Sequence, residues 1–301
     1  MRVLVAGSHG QLGNELRRCF ETMQAEIGSV SKVYAKADVD YVDYDVLDIS
    51  NGHAVAAWFS AHGPYDLVVN CAAITNVEGC ERDEAGALKV NALGAMHLAR
   101  AAQACESKFV HVSTDYVFAG DDPEPRRESD SVRPISAYGR SKLAGELLAF
   151  DACERTFVVR TAWLYGYVGK NFVKTMLRLA RERGSISVVA DQMGSPTSAN
   201  DLAYEILRIA ETDSYGTYHC TNEGTCSWFD FASTAIDLAG IECAKEPLTS
   251  AEYKVRFPQS ADRPAYSSLD NAHLRETVGD EMRPWRDALE TYITNLHELG
   301  D

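Results

Sequence analysis

Tyr138 and Lys142 stand four residues apart in Tyr138-Gly-Arg-Ser-Lys142, so on a helix they share one face. A free tyrosine, with a pKa of about 10, is a poor acid–base catalyst at neutral pH. An ammonium one turn away stabilises the phenolate and brings the phenol towards the working range. Ser113-Thr-Asp-Tyr116 ends an apolar run, and the hydroxyl of Thr114 or of Ser113 is suited to holding a carbonyl oxygen. Taken alone, the Tyr–Lys spacing is that of any helical surface pair. It gains meaning from what precedes it in the chain.

Gly7-Ser-His-Gly10-Gln-Leu-Gly13 follows the apolar run Val3–Ala6 and opens a helix. Gly7 allows a tight turn, Gly10 lets backbone approach a pyrophosphate, and Gly13 lets the helix pack close to a sheet. The helix N-terminus then faces the anion. This is the pattern of a dinucleotide site, with Tyr138 and Lys142 beside a nicotinamide and Thr114 beside the reacting carbonyl. The cofactor is NADPH or NADH. An aspartate ending the second strand suits the ribose hydroxyl of NAD, and residues 36–48 offer Asp38, Asp40, Asp43, Asp45 and Asp48. Lys36 suits a 2′-phosphate instead, and the spacing leaves both open.

Positioning these groups requires strands that alternate with helices. Val3–Ala6, Lys32–Ala35, Asp66–Asn70, Phe109–Ser113 and Thr156–Arg160 read as strands. Helices are expected from Gln11, over 83–104 and over 142–150. Such alternation implies an α/β, Rossmann-type doubly wound parallel sheet. Beyond Arg160 the pattern loosens into helices at 171–183 and 200–211 and strands at 186–190 and 217–221. We expect residues 1–160 to form the cofactor domain, completed by about 198–222. A smaller α+β substrate cap is expected from about 161–197 and 223–301, with Trp228, Phe229 and Phe231 in its core.

The 301 residues carry 29 Lys+Arg against 44 Asp+Glu, a formal charge of −15. That balance argues against nucleic acid or an anionic membrane as partner, since both need clustered positive charge. No run of 18 apolar residues occurs. The eight cysteines form no Cys-x-x-Cys pair and no zinc-like spacing with His, as in a reduced cytoplasmic protein without a structural metal. Lys170, Lys174, Arg178, Arg181 and Arg183 form a basic stripe that is either a solvated face or an attractor of a diphosphate. Asn171 either caps that helix or binds ligand. Arg263 is a second diphosphate candidate through its guanidinium.

The chain resembles the extended short-chain dehydrogenase/reductase superfamily, and within it the dTDP-4-dehydrorhamnose reductase family. The resemblance spans nearly the whole chain. It rests on Asn70-Cys-Ala-Ala-Ile-Thr75, Ser113-Thr-Asp-Tyr-Val-Phe118, Tyr138-Gly-Arg-Ser-Lys-Leu-Ala-Gly-Glu146, Arg160-Thr-Ala-Trp-Leu-Tyr165, Asn171-Phe172, Asp191-Gln-Met-Gly-Ser-Pro-Thr197 and Arg263-Pro264. It implies NAD(P)H-dependent reduction of the C4 ketone of dTDP-4-dehydro-L-rhamnose, with a nucleotide sugar as the small-molecule partner and a homodimer as an open possibility. By the same resemblance, Tyr138 donates the proton, Lys142 tunes it and binds the nicotinamide ribose, and Thr114 holds the carbonyl. Gly10, Gln11 and Leu12 would wrap the pyrophosphate, Asp48 and Ile49 frame the adenine, and Ala73, Ile74 and Thr75 line the cofactor. Asp115 and Trp163 would touch the sugar nucleotide. Cys71 departs from the usual Ala and Ile74 from a common His. Glu15 matches an acid that the family can use near Mg2+, but its companion carboxylates have no assignment, and no metal ligand is named. A different sugar-nucleotide reductase, an epimerase, or a non-catalytic subunit like that of methionine adenosyltransferase would share the same motifs.

Overall fold

The computed structural model describes residues 1–299. Six parallel strands form the main sheet: β1 (Arg2–Ala6), β2 (Asp38–Val42), β3 (Leu67–Asn70), β4 (Lys108–Thr114), β5 (Thr156–Thr161) and, after a long excursion, β10 (Gly216–His219). Their spatial order is β10-β5-β4-β3-β1-β2. The chain lays β2 on one side of β1 and then returns to place β3 on the other. The crevice above β1 and β3 is therefore the switch point where a doubly wound sheet binds ligands.

Alternate residues face opposite layers, as a pleated strand requires. Val3 and Val5 pack with Leu67, Val69, Phe157 and Val159 against α1 (Gln11–Thr22) and α8 (Ala199–Glu211). Leu4 and Ala6 pack with Val68 and Phe109 on the other side, against α2 (Gly52–His62), α5 (Ala95–Ala104) and α6 (Ala137–Ala152). Cover on both faces explains why every residue of β3 and β5 is buried. Leu274 and Met282, from the last part of the chain, also join the first of these cores.

The second strand departs from expectation. Lys32–Tyr34 is a 3-10 turn in which Tyr34 is buried and donates to the Leu207 carbonyl (2.8 Å), while Val33 is exposed. The strand lies further on, at Asp38–Val42. Its Val39 and Tyr41 face the core, and Asp38 and Asp40 reach Arg2 at 3.3 and 3.1 Å. On an edge strand, charge at every second position is tolerated, and this alternation conceals the strand from a search for apolar runs. The helix expected over 83–104 is also interrupted. After α3 (Val77–Arg82), α4 (Glu84–Leu88) passes through a π-helical turn, Lys89–Gly94, before α5 begins.

The remaining elements are β6 (Leu164–Tyr165), α7 (Phe172–Arg183), β7 (Ser185–Val189), β8 (Met193–Gly194), β9 (Thr197–Ser198), β11 (Cys226–Ser227), α9 (Trp228–Leu238), β12 (Ala244–Leu248), α10 (Ser250–Arg256), α11 (Ala272–Thr277) and α12 (Trp285–Leu299). Of these, the short helix α11 packs beside β10, where His273 Nδ1 lies 2.7 Å from the Thr217 carbonyl oxygen, and the others follow or interrupt the main sheet. Val173, Leu177, Phe231, Ile236, Leu289 and Ile293 form a core of their own. Phe229 packs against it and Phe231 is fully buried. Arg283 ties this layer to the main body through Asp201 and Glu26, each at 2.8 Å. No helix among the described residues is long and apolar enough to cross a membrane.

Candidate active site

A cleft of about 530 Å³ opens above the C-terminal ends of β1, β3 and β4. The glycine loop forms one wall. Gly7 has φ +79°, and a Cβ there would lie 2.5 Å from the Ala72 backbone nitrogen. A Cβ on Gly13 would lie 2.4 Å from the Gly7 carbonyl oxygen. Both positions are therefore closed to any side chain, and the loop lies flat under the start of α1. Gly10 caps α1, whose first turn carries no acidic residue. Its free N–H groups and dipole suit a pyrophosphate, so the cradle fits a dinucleotide.

Tyr138 and Lys142 come from the first two turns of α6, which starts where Ser136 accepts from the Gly139 N–H (3.1 Å). Thr114 ends β4. All three line the cleft. Burial pushes the Tyr138 phenol well above its usual pKa, while a hydrogen bond with Thr114 pulls it the other way. Burial brings the Lys142 ammonium down to about 8, against the pull of Glu146 and Cys71. The ammonium donates to the Val112 carbonyl (2.7 Å) and lies 3.3 Å from His111 Nε2. One of its three donors is thus held by the protein, at the Val112 carbonyl.

The two hydroxyls at the end of β4 have separate tasks. Ser113 donates to Glu146 Oε1 (2.5 Å), which forms a buried ion pair with Arg160 at 2.7 Å. Thr114 is left as the hydroxyl beside Tyr138, although it also donates to Asp115 Oδ1 (2.9 Å). Asp115 is buried and its other oxygen, Oδ2, has no partner. Burial lifts its pKa to about 6, opposed by hydrogen bonds with Ser267 and Thr114. Thr161 Oγ1, on the same cleft, is likewise unpartnered. An unsatisfied buried polar atom is costly unless a partner meets it, and both of these belong to residues that line the cleft.

Trp163 adopts φ +47°, a strained conformation for a bulky residue, and lays its indole on Trp228 with ring centroids 3.5 Å apart and 7° between planes. A Cβ on Gly194 would lie 2.4 Å from that indole, so the neighbouring backbone has been cleared for it. Trp228 lines the cleft as well as meeting the cap core. Trp228 belongs to none of the quoted motifs, and Thr161, which lies within Arg160-Thr-Ala-Trp-Leu-Tyr165, is given no role there; the tertiary path of the chain brings both to the site.

Beside the glycine loop, a second pocket of about 440 Å³ is lined by Asp48, Ile49, Ala73 and Ile74, with Leu47 and Val90. Asp48 itself is committed to a turn, accepting from the Ser50 N–H (2.9 Å) and hydroxyl (2.6 Å). Gln11, Leu12 and Thr75 face the larger cleft. Asn91, in the π-helical turn, is a positioning residue absent from the motif reading. It accepts from the Ile74 N–H (2.7 Å) and donates to the Ile74 carbonyl and to Ser141 of α6, so it fastens the loop after β3 to the helix of Tyr138.

Other candidates stand apart. Asn171 caps α7 through Lys174 N (2.9 Å), and its amide donates to Gly166, Gln11 and Tyr292, so its side chain is consumed. Arg263 is paired with Glu78 and touches the site only through Tyr116, which lines the cleft. From the basic stripe, Lys170 reaches the cleft, whereas Arg178 pairs with Glu182 on its own helix (2.8 Å). Glu15 is buried against Asn200 (2.7 Å) and near Arg18 (3.8 Å). Burial raises its pKa, and its polar contacts are those of a structural joint rather than of an open metal site. Among the described residues, the set of His and carboxylate ligands that converges is His9, Asp43 and Asp45, at the mouth of the second pocket.

Comparison with known proteins agrees with this geometry. Residues 1–298 match the family described as the RmlD substrate binding domain. A dTDP-4-dehydrorhamnose reductase of Aggregatibacter actinomycetemcomitans is 37% identical, covering 96% of this chain and 97% of the relative. Among solved structures, a dTDP-4-dehydrorhamnose reductase from Clostridium acetobutylicum is similar with a TM-score of 0.90 at 42% identity, covering 99% of this chain and all of that one. The Bacillus anthracis reductase, solved in complex with NADP, is similar with a TM-score of 0.89 at 39% identity, covering 98% and 99% of the two chains.

Proposed function

The chain belongs to the RmlD substrate binding domain family, and on that premise we propose that it reduces the C4 ketone of dTDP-4-dehydro-L-rhamnose to dTDP-L-rhamnose. It is an NAD(P)H-dependent oxidoreductase of dTDP-rhamnose biosynthesis. The observation that carries this reading is the meeting of Tyr138, Thr114 and Lys142 with the glycine cradle in one cleft, beside the unpartnered oxygens of Asp115 and Thr161.

Bound in this cradle, the reduced dinucleotide supplies a hydride for the carbonyl carbon. Tyr138 gives its phenolic proton to the carbonyl oxygen, a role that the raised pKa favours by keeping the phenol protonated. Thr114 turns its hydroxyl from Asp115 Oδ1 to donate to that oxygen and fixes the ketone relative to Tyr138. Lys142 presents its remaining donors to the ribose side of the cleft and places a positive charge near the forming phenolate. Asp115 Oδ2 accepts from a sugar hydroxyl, and the Trp163–Trp228 pair gives the substrate an aromatic wall. Gly10, Gln11 and Leu12 serve the pyrophosphate, while Asp48, Ile49, Ala73, Ile74 and Thr75 line the nucleotide. Arg263 and Asn171 act at one remove, through Tyr116 and Gln11.

Residues 1–160 with 198–222 carry the cofactor and residues 161–197 with 223–301 the substrate. The pairing of β10 with β5 supports this division. The enzyme works in the cytoplasm, where its eight unpaired thiols stay reduced. Its assembly is a homodimer, a reading supported by exposed Leu147 and Phe150 on α6.

The test is oxidation of NADPH and NADH by the purified protein with enzymatically generated dTDP-4-dehydro-L-rhamnose. Net consumption of reduced cofactor is expected. Tyr138→Phe should bind the dinucleotide as before and lose about 10²- to 10⁴-fold in turnover. Wild-type turnover in that variant would sink the assignment.

A further inference from the structure

We propose that Lys170 is a ligand of the dinucleotide pyrophosphate, reaching it from the loop that joins β6 to α7 and so closing the glycine cradle from the opposite side. The proposal rests on the reductase reading above. The cradle brings backbone N–H groups and a helix dipole but no lysine or arginine, and the chain around it carries a formal charge of −15. A pyrophosphate held there gains from a positive charge set against its outer oxygens. Among the residues that line the cleft, the lysines and arginines are Lys142 and Lys170. Lys142 is committed to the β4 side, at the Val112 carbonyl (2.7 Å). Lys170 is the one left for the cradle.

Its neighbours fix where it stands. Asn171 donates to Gln11 Oε1 (3.2 Å), and Gln11 is the first residue of α1. A Cβ on Gly166 would lie 3.3 Å from Gln11 Cβ, so the start of the loop rests on the same turn. Gly166 is itself fastened, its carbonyl accepting from the Asn171 amide (2.8 Å) and the Tyr292 hydroxyl (2.9 Å). Tyr167 is tied to Glu26 (2.5 Å) and Asn295 (2.9 Å). What projects between these anchors is Val168-Gly169-Lys170, all three exposed and all three lining the cleft. Gly169 takes φ +74°, and a Cβ there would meet nothing within 4 Å, so the tip turns through open space.

The other basic candidates are engaged elsewhere. Lys174 donates to the Tyr167 carbonyl (2.9 Å), and Arg178 pairs with Glu182 (2.8 Å). Lys170 has no ion-pair partner among the described residues. Arg263 is paired with Glu78 beside Tyr116, away from the glycine loop. The anchor on Gln11 therefore gives Lys170 to the pyrophosphate of the dinucleotide rather than to the diphosphate of a sugar nucleotide. Gln11 opens the helix whose N-terminus faces the cradle, and Lys170 is one residue from the side chain bonded to it.

The test is a titration of the purified protein with NADH and with NADPH, followed by nicotinamide fluorescence, and with dTDP, followed by calorimetry. Lys170→Ala should weaken both dinucleotides alike, by about five- to tenfold in Kd, because the pyrophosphate is common to them. It should bind dTDP as the wild type does. Lys170→Arg should bring dinucleotide binding back to within about twofold of the wild type. Added salt should weaken NADH binding more steeply in the wild type than in Lys170→Ala, a difference that a merely structural role does not produce. Arg178→Ala, from the same stripe, should bind all three ligands as the wild type does. Weaker dTDP binding with unchanged dinucleotide binding in Lys170→Ala would give the charge to the sugar nucleotide and overturn the proposal. Unchanged binding of all three ligands in that variant overturns it as well, and both outcomes leave the reductase reading intact. Wild-type protein that binds neither dinucleotide overturns the proposal and the reading beneath it.

Discussion

His111 Nε2 lies 3.3 Å from Lys142 Nζ, with both side chains buried beneath the cleft. The Asn70 amide oxygen accepts from the Ala72 N–H (3.1 Å), so its NH2 group is the one turned towards His111 Nδ1 (3.1 Å). A neutral imidazole then carries its proton on Nε2, facing the ammonium. Burial, reinforced by the charge of Lys142, holds the His111 pKa well below its usual value, so the ring stays neutral. Nε2–H accepts nothing from the ammonium, so Lys142 keeps two donors to turn outward.

A pH limit follows for catalysis. Lys142 is charged below about 8 and neutral above it, and reduction needs the charged form. kcat/KM for ketone reduction should fall as pH rises through about 8, since this ratio reports the free enzyme. Lys142→Arg keeps its charge throughout, so its profile should stay flat past pH 9 at a lower plateau. A wild-type profile level to pH 10 would contradict the argument.

Asp115 has the opposite sign. Its pKa rises from an unfolded value near 3.8 to about 6, so the folded state holds a proton that the unfolded state has lost. The wild type therefore loses stability between pH 4 and pH 6 on account of this group. Asp115→Asn should melt above the wild type at pH 7, with a smaller difference at pH 4. The same variant should raise the KM for the sugar nucleotide, because its amide NH2 cannot accept the hydroxyl that Oδ2 accepts.

Trp228→Ala removes the ring on which Trp163 rests. An aromatic stack contributes about 0.5–1.5 kcal/mol. We expect KM for the sugar nucleotide to rise about two- to tenfold with little change in kcat, measured under saturating cofactor.

Glu146 is a stability element beneath the catalytic groups. Glu146→Ala would leave Arg160 buried without its partner and Ser113 without its acceptor. The loss should be about 3–5 kcal/mol, read from urea unfolding.

The site divides into parts that a linear reading can reach and parts that it cannot. Gly7–Gly13 and Tyr138–Lys142 each carry their geometry within one turn of chain, so their chemistry is legible as spacing. Asp38 and Asp40 hide an edge strand's alternation, so apolar runs point to Lys32–Ala35 while the strand lies at Asp38–Val42. Thr161 and Trp228 join the cleft from separate strand and helix ends, 67 positions apart in sequence, and nothing local ties them together. Asn91 sits in a helical run where one turn is wound as π, a change that side-chain periodicity does not reveal. Asn171 left two roles open, and the structure gives it the cap.

The pairing of β10 with β5 also sets a timetable for synthesis. While the ribosome is still translating residues 162–215, β5 has its neighbour β4 on one side and bare backbone on the other. A strand buried at all six positions is then exposed on a nascent chain, the condition under which edges find wrong partners. The dinucleotide half cannot close until the first stretch of the substrate half, residues 161–197, has emerged. Cutting the gene after the codon for Thr161 would release an unfinished sheet rather than a working cofactor domain.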